Sequence, residues 1–148
     1  MRKLIVALAA VGGLGFLYAN SRLGEGSPAP LNRTGVPNPL PACPDSPNCV
    51  RDSRLAKTSK PDAMANRVAA ALERMGATEI RRSGDDFTAV FPIAVFKDDF
   101  RVQIDPYVKG SVVHVRSASR VGYSDLGVNG KRVERFWNEL GLRGRGAA

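Results

Sequence analysis

Between Arg116 and Arg132 the chain reads RSASRVGYSDLGVNGKR, and no other stretch sets so much hydrogen-bonding capacity beside so much backbone freedom. Four cationic side chains (Arg116, Arg120, Lys131, Arg132) share 17 residues with Ser117, Ser119, Tyr123, Ser124, Asp125, Asn129 and three glycines. Two kinds of chemistry suit such a set. Arginine presents a planar fork that matches a carboxylate or phosphate, and loop amides or a helix N-terminus add donors. Anion binding would draw on Arg116, Ser117, Ser119, Arg120, Tyr123, Asp125, Asn129 and Arg132. Hydrolysis would need Ser117, Ser119 or Ser124 as nucleophile, His114 as base and Asp125 as orienter, all within hydrogen-bond reach. No Gly-x-Ser-x-Gly elbow accompanies these serines. The pairs Asp85-Asp86 and Asp98-Asp99 read as turn residues rather than as acid–base partners. A third role is scaffolding, because a tight loop running into a helix uses Asp, Asn, Ser and Gly to satisfy its own backbone. In that role Asp125 would neutralise an arginine internally. No catalytic residue is assigned.

The elements that would hold this stretch are legible on both sides of it. Thr58-Ser59-Lys60-Pro61-Asp62 is a helix start, with hydroxyl caps, proline in the first turn and an acid at the positive end of the dipole. Met64, Val68, Ala71, Leu72 and Met75 follow at helical spacing and Gly76 stops the run, which predicts a helix over 61–75. The period then changes to two. Strands are expected at 78–82, at 87–91 with Pro92 ending or kinking the run, at 100–105, and from Ser111 to Ser117 or Ser119. Short links favour antiparallel pairing. Val133, Phe136, Trp137 and Leu140 form the apolar stripe of a last helix, from about 130 to 140, with Asn129 as its cap. The expected fold is α+β and two-layered: a four-stranded antiparallel sheet with two helices on one face, in the order helix-strand-strand-strand-strand-helix. The other sheet face would carry Arg101, Gln103, Asp105, His114 and Arg116, open to solvent or ligand.

Upstream, Met1-Arg2-Lys3 precedes an uncharged run from Leu4 to Ala19. That run is long for a signal-peptide core and short for a span of about 20 residues, so residues 1–20 are expected to be a signal peptide or an N-terminal membrane anchor. Basic residues stay cytoplasmic, so the remainder would face the periplasm or be secreted into it. Residues 22–48 hold seven prolines, and residues 21–42 read as an extended tether. The single domain is expected over 43–140 and a flexible tail over 141–148.

Cys43 and Cys49 are the only cysteines, with five residues between them across a Pro-Asp-Ser-Pro turn. In an exported chain that spacing points to a disulfide. A redox-active pair would want Cys-x-x-Cys, and a metal site would want more ligands than two cysteines and the single His114. No metal or cofactor is expected. Lys and Arg number 22 against 14 Asp and Glu, a net charge of +8. The cations are scattered without a stripe of stacking aromatics, so no nucleic-acid partner is expected.

Two phrases stand together in this order: Cys43-Pro-Asp-Ser-Pro-Asn-Cys-Val50, and Arg116-Ser-Ala-Ser-Arg-Val-Gly-Tyr-Ser-Asp-Leu-Gly-Val-Asn129. Over about residues 40–140 the chain thereby resembles the family called domain of unknown function 1499, found in bacteria and plastids. The motif positions fall on Cys43, Pro47, Asn48, Cys49, Arg116, Ser117, Ser119, Arg120, Gly122, Asp125, Gly127, Asn129 and Arg132. Arg51-Asp52 departs from the small hydroxyl residues common there. The resemblance implies a small exported or membrane-tethered protein and no established activity. The resulting expectation is a membrane-tethered or exported domain, held at the membrane through residues 4–19, that binds an anionic small molecule, a lipid headgroup or a protein partner. The alternative is a serine-dependent hydrolase using the 114–125 region.

Overall fold

The computed structural model describes residues 34–143. The elements run in the order β1 (Cys49–Ala56), α1 (Pro61–Arg74), β2 (Thr78–Ser83), β3 (Asp86–Ile93), β4 (Phe96–Tyr107), β5 (Gly110–Ser119) and α2 (Val128–Glu139). The fold is α+β, with two helices and a five-stranded, wholly antiparallel sheet in the spatial order β1-β5-β4-β3-β2. The expectation of four strands, and of a helix leading the fold, is corrected: β1 precedes α1 and closes the sheet beside β5.

The physical reason β1 escapes a pattern reading lies in its core-facing residues. Val50, Asp52, Arg54 and Ala56 do not alternate as apolar residues should. The polar ones are satisfied in place instead. Trp137 Nε1 donates to Asp52 Oδ2 at 2.9 Å, and the Arg54 guanidinium lies 4.9 Å from the centre of the Trp137 ring. Arg54 also donates to Leu142 O at 2.6 Å and to Glu134 Oε1 at 2.8 Å.

Both helices share one core cluster with the inner sheet residues, among them Phe87, Phe91, Phe100, Val102, Ile104, Val113 and Val115. Aromatic rings run through that core in edge or tilted contact: Phe91 to Phe100 at 5.4 Å, Phe100 to Phe136 at 5.1 Å and Phe136 to Trp137 at 5.2 Å. Gly110 opens β5 where any larger residue would collide, since a Cβ there would stand 2.0 Å from Ala56 O.

Three further expectations change in detail. Pro92 does not end β3, which continues to Ile93. It pairs with Lys97 beyond the last β2 partner, Thr78 opposite Val90, where β3 has become an edge that tolerates a missing amide hydrogen. Asp98 and Asp99 belong to β4 rather than to a turn; the turn is Ala94-Val95. Neither helix is capped as expected. Lys60 holds the N-cap of α1 without a side-chain bond, and Ser59 Oγ accepts from Arg67 instead.

At α2 the N-cap is Gly127 in the left-handed region (φ 81°), and Asn129 lies inside the first turn. Among the described residues no helix is long and apolar enough to cross a membrane. The expected segment over residues 4–19 lies outside them.

Candidate functional site

The strand-loop-helix stretch opening at Arg116 divides between two faces of the sheet. Along β5 side chains alternate, so Arg116 points away from the helices while Ser117 points toward them. The inner half is a closed network. Asn129 Oδ1 accepts from the Ser117 hydroxyl and from Arg132 Nη1, the latter at 2.7 Å. Its amide nitrogen is shared among Asp125 Oδ2 at 2.6 Å, Ser119 Oγ at 2.9 Å and Asn48 O at 3.1 Å. Arg132 Nη1 also reaches Ser117 Oγ at 3.0 Å, and Nη2 donates to Asp98 Oδ2 at 2.7 Å. That ion pair is almost wholly enclosed, with side-chain exposures of 6 % and 5 %. Arg132 also lies over the Phe91 ring at 4.8 Å.

Asp125, two residues before the Gly127 N-cap, supplies the acceptor for the first amides of α2. Its carboxylate accepts from the amides of Gly127 at 2.9 Å and Asn129 at 2.7 Å. Burial alone would raise this carboxyl, but the hydrogen bonds from Asn129 and Gly127 outweigh it and hold the pKa below its ordinary value. The expectation that Asp125 neutralises one of the stretch's arginines is therefore replaced, since Asp98 takes Arg132 and Asp99 takes Arg120 at 2.7 Å.

Asn48 ties the cysteine loop into the same network. Its carbonyl accepts from Ser119 N at 3.0 Å, its amide donates to Gly122 O, and Ser46 Oγ donates to its Oδ1 at 2.7 Å. Cys43 and Cys49 stand at disulfide distance, with Cα atoms 5.6 Å apart. The two sequence phrases are thus two halves of one joint. Residues 39–140 match the family model described as Protein of unknown function (DUF1499). The chain belongs to the DUF1499 family. Comparison with the curated proteins finds no match.

The outer face of this DUF1499 domain carries the arginine that the network leaves out. Register sets Arg51 opposite Arg116 and Arg116 opposite Arg101, with Thr88 and then Arg81 continuing the same cross-strand row. Directly opposed like charges destabilise a sheet. Arg101 and Arg116 make no ion pair among the described residues, and the Nε atoms of Arg51 and Arg116 are buried without a hydrogen-bond partner. A groove of about 420 Å³ lies along the row, lined among others by Arg81, Arg101, Arg116, Arg120, Thr88 and Asp99. Its acids are already engaged: Asp99 by Arg120, and Glu79 by Lys97 at 3.0 Å. The Lys97 hydrogen bond keeps the Glu79 carboxyl below its ordinary pKa.

One row farther along the same face, Asn38 Nδ2 donates to Ser53 Oγ at 3.0 Å, and Ser53 Oγ lies 2.8 Å from His114 Nδ1. His114 Nε2 stands 3.2 Å from Asp105 Oδ2 without forming a hydrogen bond.

None of Ser117, Ser119 and Ser124 bonds His114. Ser117 and Ser119 serve Asn129, while Ser124 Oγ accepts from Leu126 N at 3.3 Å. Tyr123 projects into solvent at 73 % exposure. Sequence reasoning missed Asn48, Arg51, Ser53 and Asp98 as members of these clusters. Arg101 and Asp105 were legible as outward residues of β4, and only register shows what they face. Among the described residues no cluster of His, Cys, Asp and Glu could hold a metal ion.

Proposed function

We propose that this protein is a membrane-tethered or exported binding module that holds a phosphate or carboxylate group on its outer arginine row. The observation that carries the reading is the opposition of Arg51, Arg116 and Arg101, with the Nε donors of Arg51 and Arg116 buried and unpartnered. An enclosed donor without an acceptor costs about 1–3 kcal/mol, and stacked like charges add to that. An oxyanion lying across two guanidinium forks would offset both penalties at once. The uncharged run at 4–19 and a cysteine pair at disulfide distance support a location outside the reducing cytoplasm.

The test is thermal unfolding with inorganic phosphate and, separately, with short-chain phosphatidylglycerol below its micelle concentration. Binding to the folded state alone raises the melting temperature with ligand concentration. A rise of several degrees is expected, lost in Arg101→Ala and in Arg116→Ala while both ligand-free variants melt near the parent. A response to phosphate distinguishes a soluble oxyanion from a lipid headgroup. No rise with either ligand, or a rise that survives both substitutions, sinks the reading.

A serine-dependent hydrolase is the second reading, and the Ser53–His114 contact at 2.8 Å favours a version of it with Ser53 as the hydroxyl. Ser53 is only 6 % exposed and already holds Asn38, so substrate would have to displace that side chain. Covalent labelling by a serine-reactive fluorophosphonate, abolished in Ser53→Ala, is its expected signature. A folded protein that stays unlabelled rejects it.

A further inference from the structure

Eight large hydrophobic side chains are exposed among the described residues, and six of them gather at one end of the sheet. Ile93, Val95 and Phe96 belong to the β3–β4 hairpin tip, and Val121, Tyr123 and Leu126 to the loop that leaves β5. The two segments are neighbours, because Arg120 N donates to Lys97 O at 3.3 Å and so carries the β4–β5 pairing toward Phe96. Tyr107 and Val108 sit at the opposite end, at the β4–β5 hairpin.

These side chains stand far out of the surface. Val95 is 87 % exposed and Leu126 is 89 % exposed. Ala94 (φ 51°) and Leu126 (φ 53°) both hold the left-handed region without being glycine, a strained conformation for such residues. Glu79 is the only other described non-glycine residue with positive φ. The protein thus keeps strained backbone at both apolar tips.

Charge borders them. Lys131, Arg132 and Arg135 line a second hollow together with Phe91, Pro92 and Ile93. Lys131 and Arg135 make no ion pair among the described residues, whereas the nearby acids Asp98, Asp99 and Glu79 are each paired. Asp125 is folded onto its own helix amides. Asp45 of the cysteine loop adds one negative charge at this end.

We infer that this end of the domain seats on an anionic lipid bilayer, with Val95, Phe96, Tyr123 and Leu126 entering the headgroup boundary and Lys131 and Arg135 meeting lipid phosphates. Apolar and aromatic tips flanked by cations are what an interfacial anchor requires. The net charge of +8 complements an anionic surface. The geometry allows it as well: residues 20–33 could span at most roughly 50 Å if extended, more than the roughly 40 Å length of a 12-residue strand such as β4. The surface is distinct from the segment at 4–19 and from the arginine row, so each can fail alone.

The experiment places tryptophan in the full chain at Val95, at Leu126 and, as a control at the far end, at Val108, with the buried Trp137 as constant background. Each variant is mixed with phosphatidylcholine–phosphatidylglycerol vesicles whose acyl chains carry bromine. Val95→Trp and Leu126→Trp are expected to shift to the blue and to be quenched severalfold more than Val108→Trp. That difference should survive Arg116→Ala and shrink when phosphatidylglycerol is omitted. Equal quenching at all three positions, undiminished quenching on phosphatidylcholine alone, or none at Val95→Trp and Leu126→Trp overturns the inference. The last outcome is also what a purely proteinaceous partner predicts.

Discussion

His114 is fully buried on a sheet face that otherwise carries charge, and its protonation follows from that position. Burial lowers its pKa below the ordinary 6.5; the nearby Asp105 carboxylate pulls the other way without prevailing, and Arg51 adds to the lowering. The folded ring is neutral, so the unfolded state binds the additional proton. Stability from this group is therefore fully present above pH 6.5 and is lost as pH falls through the lower folded value. Urea midpoints measured across that window should decline with acid in the parent and decline less steeply in His114→Gln. Identical slopes would show that the ring does not couple to folding. Asp125 acts lower on the scale: its depressed pKa means stability that persists until the pH drops below its ordinary carboxyl value of 3.8. His114 was visible in the sequence as an outward residue of a strand. Its partner Ser53 was not, because β1 carries no apolar alternation to announce it.

At the scale of elements, β4, β5 and α2 are locked together by Asp98, Ser117, Asn129 and Arg132. The Asp98–Arg132 pair is buried, and removing either partner leaves the other charge stranded. Asp98→Ala or Arg132→Ala should each cost about 3–5 kcal/mol, whereas the double variant should cost far less than their sum. A double-mutant cycle in urea reads the difference; additivity would mean that the pair acts as two independent charges. Both helices were legible from spacing to within two residues or so, since 3.6-residue periodicity is a local property. Their caps were not. Whether Asn129 caps a helix or sits within its first turn depends on where Asp125 and the left-handed Gly127 place the chain, and on Ser117 waiting beneath it.

Taken whole, the molecule closes through its cysteine loop. Cys43 and Cys49 bracket Asn48, whose hydrogen bonds beyond its own loop reach β5, the Gly122 loop and α2. Constraining so short a loop contributes about 2 kcal/mol through chain entropy, less where prolines have already stiffened the unfolded segment. Replacing both cysteines by serine should lower the melting temperature by several degrees and weaken the junction first. Hydrogen exchange would show this as faster exchange at Ser119 N and Asn129 N than at the centre of β4. Uniform acceleration over the sheet would instead place the effect in the unfolded chain. The pairing of the cysteines was legible because a chain with only two of them leaves a single choice. Their dependence on Asn48 was not, because Asn48 lies 81 residues from Asn129.

The amino-acid sequence alone determined the α+β class, the two helices, most of the antiparallel strands, the cysteine pair and membership of the DUF1499 family. Each of these rests on local periodicity or on a contiguous motif. It also assigned the outward phase of Arg101, Gln103, Asp105, His114 and Arg116, because alternation along a strand is a local fact. Only the tertiary structure decided that Arg116 and Arg132 serve opposite faces, that Arg51 completes an arginine row, and that Asp98 rather than Asp125 holds Arg132. Those are questions of register and partner choice between residues far apart in the chain. Side-chain spacing within one segment carries no record of them.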